Sequence, residues 1–127
     1  MKEKSNDVTP VEKKIPAASL GDTKETSDPV TIENVTIDGN IMTLDVSYSG
    51  GCQEHWFDLI GSFAVMKSLP PKRSVKLIHN AKDDRCRKMI SESISFDISE
   101  LAMQQKPDSE IVLLIDGYKE PITYKYQ

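Results

Sequence analysis

The chain has no long apolar run, few aromatic side chains and only two cysteines, and each shortage excludes something. No stretch approaches the roughly 18 consecutive apolar residues that a membrane-crossing helix needs. Lys and Arg number 16 against 20 Asp and Glu, for a net charge of −4, and the two signs are interspersed. That argues against a nucleic-acid binder, which presents a basic face. The densest basic groups are Lys67, Lys72, Arg73 and Lys76, then Arg85, Arg87 and Lys88. They read as solvated surface. Gly50-Gly51 and Gly61 lack the spacing of a phosphate-cradling loop. The carboxylates form no recognisable acid/base pair, and no long segment carries a helical period. The start, MKEKSNDVTP, is charged but leads into no apolar signal segment, so the expectation is either a cytosolic chain or a mature or trimmed form.

Residues 1–29 contain no aromatic residue and are rich in Lys, Glu, Asp, Ser, Thr and Pro. Such a stretch buries too little apolar surface to offset its ordering entropy. It is read as a flexible polar leader or tether, with one folded domain over 30–127. That domain reads as β. A β-branched run over 30–37 is followed by the turn signal Asp38-Gly39-Asn40, and then Met42, Leu44, Val46 and Tyr48 alternate with polar neighbours. The pair predicts a hairpin. Phe57 and Leu59 alternate around Asp58, and a further strand or extended loop is expected over 62–68, ended by Pro70-Pro71. Val75, Leu77 and His79 predict a strand, as do Ile94, Phe96 and Ile98. Ser99 is placed to cap a helical turn. Ile111 to Ile115 is continuously apolar, as in a central strand, and Ile122, Tyr124 and Tyr126 alternate at the end. Seven or eight short strands at this spacing predict an all-β fold, an antiparallel immunoglobulin-like β-sandwich.

The run SYSGGCQEHWFDL, residues 47–59, holds the chemistry. Cys52 lies after one expected strand and Cys86 before another, where a sandwich brings loop ends together. A disulfide between them would stabilise by roughly 3 to 4 kcal/mol on the chain-entropy model. The alternative is a metal site: Cys52, His55, His79 and Cys86 form a two-Cys, two-His set suited to zinc or copper, although His79-x6-Cys86 is not a standard spacing. A catalytic thiol at Cys52 lacks an orienting or oxyanion partner, so no catalytic residue is assigned and the chain is read as a non-enzyme. Asn80, Asp83 and Asp84 offer hard oxygens for calcium but do not follow the EF-hand pattern. Trp56 and Phe57 point to opposite faces of a strand, one inward and the other exposed or covering the cysteine pair. Tyr118, Tyr124 and Tyr126 read as packing or as a stacking surface.

On YSGGCQEHWFDL, PPKRSVKLIHNAKDDRC and ISFDISEL, the chain resembles a group of small uncharacterised lipoproteins or secreted proteins of Gram-negative bacteria. Gly50, Gly51, Cys52, His55, Phe57 and Leu59 carry a Gly-Gly-Cys-x-x-His-x-Phe-x-Leu motif. His79 and Cys86 carry a second motif, and Phe96, Asp97, Ile98 and Ser99 a third. The resemblance implies an extracytoplasmic location, periplasm or cell surface, with the leader as tether to a lipid anchor whose cysteine this chain lacks. It implies no activity. The expected role is a non-catalytic binding or accessory domain of the cell envelope. Its partner would be an envelope protein, a peptide or a glycan, met through the loops around Cys52 and Cys86.

Overall fold

The structure, a computed structural model, describes residues 15–127. Its strands follow the chain as β1 (Ser19–Gly21), β2 (Thr31–Asp38), β3 (Ile41–Gly50), β4 (Trp56–Ser62), β5 (Lys72–Asn80), β6 (Lys88–Asp97), β7 (Glu110–Ile115) and β8 (Ile122–Lys125). Alternation is cleanest in β3, where Met42, Leu44, Val46 and Tyr48 are buried and the residues between them are partly exposed. Side chains of a strand alternate between faces, so this pattern turns one face of β3 toward a core. The hairpin to β2 closes over Gly39 and Asn40. Gly39 sits at φ +63°, a left-handed conformation that costs glycine little. On its other side β3 pairs with β6 in unbroken antiparallel register, from Ile41 opposite Asp97 to Gly50 opposite Lys88. The result is a three-stranded sheet of order β2-β3-β6.

The second sheet has order β1-β4-β5-β7-β8. Leu59, Val75, Leu77, Ile111 and Leu113 face Met42, Leu44, Val46 and Phe96 across one continuous core. The chain is thus the β-sandwich that alternation predicts, but the five-stranded sheet is mixed rather than wholly antiparallel. β1 runs parallel to β4, and β5 runs parallel to β7. The second seam has a topological cause. β6, which follows β5, belongs to the opposite sheet, so the chain crosses the core and returns to β7 in its original direction.

The domain also begins earlier than its composition suggests. Ala17 makes a parallel bridge to Asp97, Ala18 is buried, and β1 extends the second sheet beyond β4. Four apolar residues, Ile15, Ala17, Ala18 and Leu20, give no readable period, which is why 15–29 looks like leader. Residues 1–14 of that expected leader lie outside the described residues. Of the strand or loop expected over 62–68, only Ser62 is strand; a loop follows, tied by a bridge between Met66 and Lys72. The turn Ser99–Leu101 is a short 3-10 helix, and Ser99 does not cap it. Asp97 does the comparable work, accepting from the Ser99 N–H at 2.9 Å and its hydroxyl at 2.6 Å. Those bonds hold the Asp97 carboxyl below the usual carboxylate range.

Arg73, counted among the surface cations from sequence, is buried. Its Nε donates to the Leu101 carbonyl at 3.0 Å and its Nη1 to the Ser62 carbonyl at 2.5 Å. It ties the end of β4 to the 3-10 turn. Arg73→Met keeps the aliphatic bulk but leaves both carbonyls without this donor. The expected loss is about 3 kcal/mol in urea unfolding, the range for buried bonds to a charged group. A loss below about 0.5 kcal/mol would show that the tie is dispensable.

Candidate functional site

At the far end of the sandwich, β3 ends in Gly50, β4 begins just after His55, and β5 ends just after His79. The three strand ends converge on Asp84, in the loop before β6. Asp84 Oδ2 accepts from His55 Nε2 at 2.8 Å, from the Cys52 N–H at 3.1 Å and from the Gln53 N–H at 3.0 Å. Oδ1 accepts from the Cys86 N–H at 3.0 Å. The side chains of His55 and Asp84 are 2 % and 0 % exposed. The His55 hydrogen bond, then the three amides, hold the Asp84 carboxyl far below the usual carboxylate range, against the opposing effect of its burial. The crowding accounts for Gly50: a Cβ there would lie 2.7 Å from His55 Nε2 and 2.9 Å from Asp84 Oδ2. Cys52 and Cys86 form a disulfide directly above, with their Cα atoms 5.8 Å apart.

The chain of bonds continues inward. His55 Nδ1 lies 2.7 Å from His79 Nε2, and His79 Nδ1 lies 2.9 Å from the Pro29 carbonyl oxygen. The two imidazoles are nearly coplanar, inclined by 23° with centroids 4.9 Å apart, the arrangement of rings joined edge to edge. Tyr48 packs on both, at 4.5 Å from His55 and 4.9 Å from His79, and Phe57 lies parallel to His79 at 4.7 Å. The Tyr48 hydroxyl donates to Glu92. Burial, then that carboxylate, push the Tyr48 hydroxyl up to about 12, so it stays a donor. His79 is fixed by its backbone too: its N–H donates to Ser27 Oγ at 2.8 Å and its carbonyl accepts from the Asp28 N–H at 2.8 Å.

The acceptors at the two ends of this chain fix two ring protons. An ionised Asp84 and the Pro29 carbonyl can only accept, so His55 Nε2 and His79 Nδ1 both carry hydrogen.

A model of the NigD-like C-terminal beta sandwich domain family matches residues 13–126. The chain belongs to that family. No curated protein matches it significantly. Among solved structures it is similar to a protein described as a NigD-like immunity protein from Bacteroides caccae, with 12 % identity and a TM-score of 0.66, covering 91 % of this chain and 66 % of that one. It is similar also to a putative toxin related protein from Parabacteroides distasonis, at 18 % identity and TM-score 0.52, covering 97 % and 66 %. A third, a protein of unknown function from Bacteroides vulgatus, has 12 % identity and TM-score 0.54, covering 89 % and 58 %. At these identities the likeness is one of fold, and the chain spans under two thirds of each relative's length.

In this NigD-like sandwich the four residues weighed as metal ligands do gather at one end, but their donor atoms are engaged. The sulfurs are bonded to each other, and the ring nitrogens to each other, to Asp84 and to Pro29. Among the described residues, the three ligand-type atoms that lie within 4.8 Å of one another belong to Cys52, Asp84 and Cys86, not to the histidines. The calcium trio is dispersed: Asp84 turns inward, Asn80 Oδ1 accepts from the Lys82 N–H at 2.9 Å, and Asp83 is exposed. Phe57 is the inward aromatic, while Trp56 is 60 % exposed with Lys82 Nζ 5.0 Å from its ring. Tyr124 is buried and donates to Asn40, so it belongs to packing. Sequence reasoning missed Asp84 as hub and Tyr48 and Pro29 as members. One signal was present: Asp84-x-Cys86 is an Asx-turn spacing, the carboxylate accepting an amide two residues on.

Two outcomes follow from this geometry. In 15N-resolved spectra of the folded protein, His55 Nε2 and His79 Nδ1 are each expected to carry hydrogen; a bare nitrogen at either position would break the bond assigned to it. The second is acid sensitivity. Asp84 is depressed in the folded state, so its contribution is complete above the unfolded carboxylate range, near pH 4, and is lost as pH falls through that range toward the lower folded value. Asp84→Asn should be less stable at pH 7 and show a flatter decline in acid, with Asp97 supplying a remaining slope. Parallel curves for the two proteins would remove Asp84 from this role.

Proposed function

We propose that this NigD-like domain is a non-catalytic, extracytoplasmic binding module that recognises another protein, in the manner of an immunity-type accessory domain. One observation carries the reading. Among the described residues, the cluster that gathers catalytic-type side chains has its His and Asp side chains sealed from solvent and its polar atoms committed to one another. A general acid or base must reach its substrate's proton, and here packing covers both imidazoles. The cluster is built to hold three loops together, which leaves recognition to the surface. The descriptions of the two relatives as immunity and toxin-related proteins favour a protein partner over a small molecule. The disulfide supports a location outside the cytoplasm, in the periplasm or on the cell surface, because reducing compartments keep thiols apart. Attachment through a lipid anchor is compatible with that placement.

The test is photo-crosslinking in cells that make the protein, with the crosslinker placed in turn at the exposed Trp56, Leu69 and Met89. A binding module is expected to yield one stoichiometric protein partner from at least one position. The purified protein should turn over none of a panel of hydrolase and thiol-oxidoreductase substrates. Turnover abolished by His55→Asn would overturn the reading, and free thiols in the denatured, unreduced protein would overturn the location.

A further inference from the structure

β6 forms one edge of the three-stranded sheet, and one rung of a further strand is already in place on it. The Asp97 N–H donates to the Pro16 carbonyl at 2.9 Å, and the Asp97 carbonyl accepts from the Ala18 N–H at 2.8 Å. Both backbone groups of Asp97 therefore point away from β3. Backbone direction alternates along an antiparallel strand, so the N–H and C=O groups of Ser95, Ser93 and Ser91 point the same way. Among the described residues, no strand pairs with them. The edge is long and regular: ten residues without proline and without a register break against β3. Such an edge is a template for another strand.

The surroundings select what can be added. A cleft of about 550 Å3 runs between this edge and the start of β4. Its apolar lining includes Trp56 and Ile94 together with Ile15 and Pro16, which close its end beside Asp97, and its charged lining is Glu54 from one wall and Glu92 from the other, with no Lys or Arg among them. Glu92 lies on the core-facing side of β6, level with Ile90 and Ile94, and accepts the Tyr48 hydroxyl. An inward-pointing carboxylate on an edge strand repels indiscriminate pairing. It leaves the edge open to a strand that brings a cation.

We propose that the edge of β6, unpaired over Ser91–Ser95 among the described residues, is a strand-addition site for an extended segment of a partner protein that alternates apolar and basic residues. The segment takes its main-chain bonds from Ser91, Ser93 and Ser95 and its charge pairing from Glu92 and Glu54. This is the β-augmentation mode, in which backbone bonds supply affinity and alternate side chains supply specificity. The inference rests on the reading of the domain as a binding module and gives that module a place and a partner chemistry.

The probe is a synthetic ten-residue peptide alternating valine and lysine, with its valine–glutamate counterpart as control. Trp56 is the only tryptophan and lines the cleft, so its fluorescence reports binding to the full chain. The lysine peptide is expected to bind saturably, the glutamate peptide not at all. Binding should slow hydrogen exchange at the Ser91, Ser93 and Ser95 amides. Glu92→Gln should weaken binding roughly fivefold, the upper range for a solvent-reachable ion pair. Ser91→Pro removes an outward N–H and no β3 bond, and should weaken it more than tenfold. If that variant does not fold, exchange protection in the unmodified chain decides alone. Equal binding of both peptides, or protection elsewhere, overturns the proposal. So does protection of the three serine amides in the free chain, because the edge is then already filled by its own N-terminal residues or a second copy. A partner crosslinked at Leu69 alone would sink the edge site while leaving the binding-module reading intact.

Discussion

The structure depends on one carboxylate. Asp84 collects four N–H donors: one from an imidazole, two from the amides of Cys52 and Gln53, and one from the amide of Cys86. Each donor belongs to a segment that must be in place for the rest to close. The disulfide joins the same two loops, yet the bond and the carboxylate act on different states. A cross-link over a separation of 34 residues stabilises mainly by restricting the unfolded chain, by about 4 kcal/mol on the entropy model. Asp84 stabilises the folded chain by fixing the direction of both cysteine amides. The first effect is insensitive to acid, whereas the second disappears with the negative charge. The histidine pair extends that hold to Pro29, so one ion reaches from the loop before β6 to the segment before β2.

Much of the fold was legible because its strands are long enough to show a period of two. β3 announces itself by four buried residues in alternation, and its turn to β2 by Asp38-Gly39-Asn40. The continuous apolar run of β7 marks a strand covered on both faces. Ala18, β1 and Ser27–Pro29 were illegible for a physical reason. Their contribution is backbone pairing and single side-chain bonds, and backbone groups are the same in every residue. The parallel seam between β5 and β7 was hidden likewise, since parallel and antiparallel strands share one side-chain alternation and differ in where the chain goes between them.

The candidate site divides along the same line. Cys52, His55, His79 and Cys86 stand out as residue types, and the fold does bring them together. Their relationship does not follow from type. Whether two histidines bind a metal or each other depends on what lies opposite, and here it is a carboxylate whose local partner, Cys86, is two residues away. The two glycines before Cys52 do different work: Gly51 takes a left-handed conformation beside the sulfur, at φ +112°, whereas Gly50 supplies the absence of a side chain where His55 and Asp84 meet.

Tyr48 connects the sealed cluster to the open edge. Its ring is held between the two imidazoles and Phe57, and its hydroxyl reaches Glu92 on β6. A hydroxyl kept protonated to about 12 donates at any physiological pH, so Glu92 accepts from it throughout. A free carboxylate at a sheet edge would swing into water and present no fixed charge to an incoming strand. Held by Tyr48, it stays beside the backbone groups of Ser91 and Ser93, where a strand lacking a cation would cover it without a counter-charge. Covering a carboxylate without a counter-charge works against the few backbone bonds such a strand would gain. The buried Asp-His-His chain would then serve recognition without touching a ligand: it positions the tyrosine that positions the charge.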